Sequence, residues 1–169
     1  MILGVMSDTH GNRKLMFQVA DLMEAALDAA IIIHLGDDYT DAQALAMAGH
    51  TVRMVPGLWC EAYHNGRIPK RGVESFEGLK VAWAHADRDL RFTERAAAVI
   101  LTGHTHTAVI HRIGPCIYLN PGHLKAGSDR DEAPSFGVVN ITDATVRCAI
   151  HEVTGAVRTE VTASRCELA

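Results

Sequence analysis

Three short apolar runs alternate with two helical patterns between Ile2 and Val55, and this alternation constrains the fold more than any other feature of the chain. Ile2-Leu3-Gly4-Val5-Met6 reads as a buried strand. From Arg13 to Asp28 the residues Leu15, Met16, Val19, Leu22, Met23, Ala26 and Leu27 recur at helical steps, which predicts an amphipathic helix. Ile31-Ile32-Ile33-His34-Leu35 is a second, β-branched strand. Asp41 to Ala48 is alanine-rich and reads as a helix stopped by Gly49. Thr51 to Val55 is a third strand, closed by Pro56-Gly57. Strand–helix–strand–helix–strand order with right-handed crossovers makes parallel strands and an α/β fold. Ligands of such sheets gather at the carboxyl ends of the strands, where the loops beginning at Ser7, Gly36 and Pro56 lie.

The second half reads as mainly antiparallel β. Val73–Phe76 and Leu79–Ala84 form a hairpin, and a short helix is expected over Asp89–Ala97. Strands are expected at Val99–Leu101, Ala108–Ile113, Cys116–Leu119, Phe136–Ile141 and Thr145–Glu152. Leu58 to Arg71 lacks periodicity and reads as a long loop, which in a compact domain points to function. No repeat or linker divides the chain. Residues 1–169 are expected to form a single domain, frayed from about Thr162 onward.

Charge narrows the partners. The net charge is −4, with no basic run beyond Lys70-Arg71, so no stable nucleic-acid binding is expected. No apolar run is long enough to span a bilayer and no leader precedes Ser7-Asp8, which predicts a cytoplasmic protein without a membrane partner. Cys60, Cys116, Cys148 and Cys166 are far apart and fit a reducing compartment.

Histidine carries the chemical signal. Four of the ten histidines, His10, His85, His104 and His106, sit in glycine-containing junctions after apolar runs. His104 and His106 stand two residues apart, and an extended backbone would send both imidazoles to one side. Asp8 and His10 share that spacing. Asp37 follows Gly36, which allows a tight turn that aims a carboxylate inward, where it could bridge two cations. Mixed Asp and His ligands suit Mn²⁺, Fe, Zn²⁺ or Ni²⁺ better than Ca²⁺. Two metals roughly 3.5–4 Å apart are a recurrent device for phosphate-ester hydrolysis. His34 reads as core, Asp38 as a turn former, and His50, His111 and His151 as ordinary strand or loop residues. Trp59 and Tyr63 are expected to pack the long loop onto the sheet, and stacking of Trp59 on an aryl or nucleobase substrate group is the alternative.

Ser7-Asp8-Thr9-His10-Gly11, Leu35-Gly36-Asp37, Trp83-Ala84-His85 and Thr102-Gly103-His104-Thr105-His106 together resemble the calcineurin-like metallophosphoesterase superfamily in order and spacing. The length resembles its small bacterial and archaeal phosphodiesterase branch, related to the retromer metallophosphoesterase-fold subunit. Leu119-Asn120-Pro121-Gly122 and Pro134-Ser135-Phe136-Gly137-Val138 are similar to that branch's C-terminal blocks. The resemblance implies a two-sheet β-sandwich flanked by helices, an αββα four-layer arrangement, with metals at the strand ends. It implies one metal on Asp8, His10, Asp37 and His106. A second would take Asp37, His85 and His104, with an asparagine from a Gly-Asn block after the third strand. The cofactors implied are one or two divalent ions, Mn²⁺ foremost, with Ni²⁺, Fe²⁺ or Zn²⁺ as alternatives. The activity implied is hydrolysis of a phosphate ester, a phosphodiester foremost, by a metal-activated hydroxide, in a chain that could form a homo-oligomer.

One block departs from the pattern. Val55-Pro56-Gly57-Leu58-Trp59-Cys60-Glu61 places Leu58 where the asparagine is expected. Leucine has no lone pair to give. Trp59, or Cys60 if the loop carries an insertion, then occupies the next position of the block. The leaving-group acid falls to Glu61 or His64. The same departure supports a rival expectation, a non-catalytic or weakly catalytic metal-binding interaction module on this fold.

Overall fold

The computed structural model describes residues 1–125 and 127–168, and in them the apolar runs build two sheets. In the first, β1 (Ile2–Met6), β2 (Ile31–His34) and β3 (Val52–Met54) run parallel, joined through α1 (Arg13–Ala25) and α2 (Tyr39–Met47). On the other edge of β1, β9 (Ser135–Ile141), β10 (Thr145–Glu152) and β11 (Val157–Ser164) continue the sheet antiparallel. The second sheet contains β4 (Arg71–Phe76), β5 (Leu79–Ala84), β6 (Val99–Thr102), β7 (Ala108–Ile113) and β8 (Cys116–Pro121), in the order β4-β5-β6-β8-β7.

Residue alternation sorts the strands into layers. Leu3, Val5, Ile33 and Leu35 of the first sheet meet Val81, Trp83, Leu101 and Leu119 of the second in the central core. On the outer face, Met6 and Ile32 pack under Met16, Val19, Ala20 and Met23 of α1 and Leu45 of α2. Gly4 makes that contact possible, since a Cβ there would lie 2.5 Å from Met23 Sδ. The fold is therefore α/β, a two-sheet sandwich flanked by helices, with parallel strand ends delivering three loops to one rim. No helix among the described residues is long and apolar enough to cross a membrane.

Three expectations change. The helix expected over Asp89–Ala97 is replaced by two 3₁₀ turns, Asp87–Asp89 and Glu94–Ala96, separated by extended backbone at Leu90. Only Leu90 and Ala97 of this stretch reach the apolar cluster on the outer face of the second sheet, too few for a helical stripe. Arg95 instead ties the two turns by donating to the Asp87 carboxylate at 2.7 and 3.0 Å. The long loop contains one helical turn, α3 (Glu61–His64). From Thr162 to Leu168, where fraying was expected, the chain is regularly structured. β11 pairs with β10 as far as Ser164, a 3₁₀ turn with a capping box follows, and Leu168 is buried in the central core. The edge of β10 offers this segment a full ladder of partners.

His34 is core, as its place in a strand suggested, and it is held neutral. Gly36 N–H donates to its Nδ1 at 3.2 Å, so its proton is on Nε2, facing Thr9 Oγ1 at 3.5 Å. Thr9 in turn donates to Asp41 Oδ2 at 2.7 Å. Burial lowers the His34 pKa to about 4 from its ordinary value of 6.5. A depressed folded-state pKa stabilises fully above the unfolded value, and that stability is lost as pH falls from 6.5 toward 4. Over that window the metal-free wild type should lose roughly 3 kcal/mol more than a His34→Asn variant, measured by urea unfolding at pH 7 and pH 4. Equal losses would remove His34 as the acid-sensitive group.

Candidate metal centre

Loops after β1, β2, β3, β5 and β6 converge on one rim of the sandwich. Asp8, Asp37, His85 and His106 are buried, His104 is half-buried, and His10 is exposed, though its side chain is only 24% accessible. All six acidic and imidazole residues singled out in the sequence therefore meet at one place. The backbone that delivers them is not extended, however. Asp8, His10, His104 and His106 have φ of 53°, 46°, 70° and 63°, so each loop turns through left-handed residues to aim its side chains. Such conformations cost free energy in non-glycine residues, and they cluster at functional sites.

The imidazoles sort into two groups. His10 and His106 bring their Nε2 atoms within 3.1 Å, with Asp8 Oδ1 at 3.3 Å from His106 Nε2. Asp8, His10 and His106 can present one atom each, all within 4.8 Å of one another. His85 and His104 form the second group, with ring centroids 5.2 Å apart. Asp37 stands between them, with Oδ2 3.4 Å from His10 Nε2 and Oδ1 3.8 Å from His85 Nε2. One carboxylate thus presents an oxygen to each group.

Hydrogen bonds fix which atoms face inward. His85 Nδ1 donates to the Leu35 carbonyl at 2.8 Å, which leaves the Nε2 lone pair toward Asp37. Asp8 Oδ2 accepts from Ser7 Oγ at 2.6 Å and from His104 N–H at 2.9 Å. Two of these bonds cross from one sheet to the other, His85 to Leu35 and His104 to Asp8. Among the described residues, Asp8 Oδ1 and His85 Nε2 are buried without hydrogen-bond partners. An orphaned carboxylate oxygen and an orphaned imidazole nitrogen, each facing further ligand-type atoms, fit a divalent cation.

Electrostatics favour ligand-ready protonation states at Asp8, His10 and His104. Burial alone would raise the Asp8 carboxyl, but the neighbouring His106 and His85 and the Ser7 hydroxyl hold it below the usual carboxylate range. Burial pushes His10 and His104 down, against the pull of nearby carboxylates, so both imidazoles tend to be neutral. Asp8 and Asp129 raise His106.

Glycines let the loops approach. A Cβ on Gly57 would lie 2.4 Å from Asp37 Cα, and one on Gly103 would lie 1.9 Å from Ser7 Oγ. Three supporting residues escaped the sequence reading because their partners are distant along the chain. Asp129 accepts from His106 Nδ1 in a very short contact. Asn120, read as part of a turn, donates Nδ2 to the Gly103 carbonyl at 2.9 Å and to Thr105 Oγ1 at 3.0 Å. Asp41 accepts from Thr9, Gly11 N–H and Arg13 and fixes the Asp8–His10 loop. Burial alone would raise Asp41, but Thr9 and Arg13 hold it low.

In the loop after β3, Tyr63 packs as expected and Trp59 does not. Tyr63 packs inward and donates to Asp89 at 2.8 Å. Trp59 does not pack: its N–H is held by Asp37 Oδ1 at 3.2 Å, and its indole stands 84% exposed on the cleft rim. His64 turns away, its Nε2 donating to the Leu58 carbonyl at 2.8 Å, whereas Glu61 lines a cleft of about 460 Å³ with His10, Asp37 and Trp59. Leu58 is half-buried.

Residues 1–144 match the family model described as the calcineurin-like phosphoesterase superfamily domain. The chain belongs to that superfamily. A relative described as a "probable metallophosphoesterase", from Methanothermobacter thermautotrophicus, is 28% identical over 140 residues, 72% of this chain and 76% of its own length. Among solved structures, the phosphoesterase Yfce from E. coli superposes with a TM-score of 0.72 at 18% identity, covering 95% of this chain and 98% of that one. Vps29 from Chaetomium thermophilum gives a TM-score of 0.71 at 15% identity over 97% and 98% of the two chains. The calcineurin-like phosphoesterase family uses divalent metals, and in this chain the Asp8, His10 and His106 cluster is the candidate site.

Asp129 gives His106 an outer support of the kind metal-bound imidazoles commonly have. Replacing it with asparagine should weaken Zn²⁺ or Mn²⁺ binding by about 10- to 100-fold, measured by calorimetry on the metal-free chain. Unchanged affinity would reduce the contact to a surface hydrogen bond.

Proposed function

We propose that the chain is a metal-dependent phosphodiesterase. The observation that carries the reading is Asp37, one carboxylate offering an oxygen to each of two imidazole groups. Asp8, His10, Asp37 and His106 would hold one divalent ion, and Asp37, His85 and His104 a second. Bound there, the metals supply Lewis-acid stabilisation of phosphoryl charge and a nucleophile at neutral pH.

The chain's own residues prepare that chemistry. The Leu35 carbonyl and the Asp129 carboxylate accept hydrogen bonds from Nδ1–H of His85 and His106, which turns each Nε2 toward the centre. Clefts of about 460 and 380 Å³ open beside the centre, and both include Trp59. A diester has two alcohol arms, so a site open on two sides favours a diester over a monoester. The exposed indole offers a stacking face to an aryl or nucleobase arm. Glu61, on the cleft wall, is better placed than His64 to protonate a leaving oxygen.

The second ion has fewer ligands than the first, because Leu58 offers none. Equilibrium dialysis against Mn²⁺ or Zn²⁺ should therefore give one tightly held ion per chain, with a second bound more weakly. Hydrolysis of bis-p-nitrophenyl phosphate, screened with Mn²⁺, Ni²⁺, Fe²⁺ and Zn²⁺, tests the activity. A folded, metal-loaded chain without turnover on any phosphate ester would overturn the enzymatic reading and favour an interaction module on the same fold.

A further inference from the structure

Arg130 is the uncommitted cation of the substrate cleft. It lines the 380 Å³ cleft with Trp59, Lys125 and the metal-centre residues His10, Asp37, His104 and His106, and the Asp37 carboxylate faces the imidazoles rather than Arg130. Lys125 is occupied by Asp129 Oδ1 at 2.9 Å. Arg130 donates Nη1 to the Thr105 carbonyl at 3.0 Å, and no carboxylate lies within 4.0 Å of its guanidinium among the described residues. Of the neighbouring acids, Asp129 also serves His106, and Glu132 faces Arg158 at 3.4 Å. The tether to Thr105 is informative, because Thr105 lies between the two histidines of its loop. It fixes one guanidinium nitrogen and leaves the other donors for a ligand.

The backbone singles out the same residue. Asp129 and Glu132 exchange hydrogen bonds of 3.0 and 2.9 Å, closing a two-residue turn. Its two central residues, Arg130 and Asp131, have φ of 51° and 64°. Such turns favour glycine, asparagine or aspartate at both positions, because left-handed backbone is unfavourable for a long side chain. An arginine held there, over a catalytic cleft and without a counter-ion, points to use of its side chain.

We propose that Arg130 selects phosphoesters that carry a second phosphate besides the scissile one. The inference rests on the phosphoesterase reading, in which the single negative charge of a scissile diester is met at the metal centre. The remaining cation on the wall then has no counter-charge until the substrate brings one. A planar, five-donor guanidinium suits the tetrahedral oxygens of phosphate better than it suits a neutral group. With Trp59 lining the same cleft, the preferred substrate class combines a planar ring with an additional phosphate.

Calorimetric titration of the full-length, Zn²⁺-loaded chain tests this with two probes that share a base, thymidine 5′-monophosphate and thymidine 3′,5′-bisphosphate. Wild type should bind the bisphosphate about tenfold more tightly, the scale of one charge-assisted contact. Arg130→Gln should bring the ratio near one, and Arg130→Lys should keep part of it. Arg130→Gly, which suits the left-handed turn, should behave as Arg130→Gln, separating the side chain from the turn's fold. A wild type without preference, or a preference unchanged in Arg130→Gln and Arg130→Gly, would overturn the proposal. Binding is read apart from turnover, so its failure is distinct from an absence of bis-p-nitrophenyl phosphate hydrolysis.

Discussion

Asp37→Asn should lower the expected turnover of bis-p-nitrophenyl phosphate by more than about 100-fold, the loss that removing an outer support of a metal ligand can already cause. The expectation follows from position. Asp37 faces both imidazole groups, at 3.4 Å from His10 and 3.8 Å from His85. Asparagine keeps the shape and can still accept the Trp59 N–H through its Oδ1. It removes the negative charge and replaces one of the two acceptor oxygens with a donor nitrogen. The fold should survive, because the central core and the helix-covered face do not involve this residue. Circular dichroism and thermal unfolding of the metal-free variant should match wild type, while dialysis should show weakened metal binding. An Asp37→Asn protein that turns over at the wild-type rate would refute the assignment of the centre.

Gly57→Ala should damage the same centre sterically. An added Cβ would meet Asp37 Cα at 2.4 Å, Asp37 O at 2.6 Å and Asp37 Oδ1 at 2.6 Å. Two of those atoms are backbone, so no rotamer change relieves the clash. Reciprocally, a Cβ on Gly36 would lie 2.8 Å from Gly57 N, so the two loops touch through their main chains. Overpacking of this kind costs roughly 1–3 kcal/mol, and more where backbone must shift. Turnover should fall further than the lost stability explains, since the displaced residue is Asp37. Gly127→Ala provides the control, as nothing lies within 4 Å of its Cβ position. Stability measured by urea unfolding, alongside kcat, separates the two. A Gly57→Ala variant as stable and active as Gly127→Ala would contradict the packing described for this loop.

Much of this architecture is legible in the residues themselves. β1, α1, β2, α2 and β3 follow from periodicities that depend only on near neighbours. The six ligand-type residues stand out because Asp and His in glycine-containing junctions have few structural reasons to recur. What escaped is non-local. Asp129 matters because of His106, Asn120 because of Gly103 and Thr105, and Asp41 because of Thr9 and Arg13. No spacing rule connects such pairs. β11 shows a weaker failure. Its inward residues, Val161 and Ala163, are few, and the strand is defined by the free edge of β10 rather than by its own pattern. His104 and His106 both reach the rim, but not through the strand alternation expected from their two-residue spacing. Left-handed turns, not a pleated strand, set their directions.

The rim loops come from both sheets, and the bonds from His85 to Leu35 and from His104 to Asp8 cross between them. A cation held there would therefore act as a clasp between the two layers, beside the Arg53–Glu74 ion pair and the Ser135–Pro121 hydrogen bond that already link them. Its binding free energy is shared by the whole sandwich, because neither half can open at that rim without releasing it. Metal supply then becomes a determinant of how long the folded chain endures as well as of its chemistry.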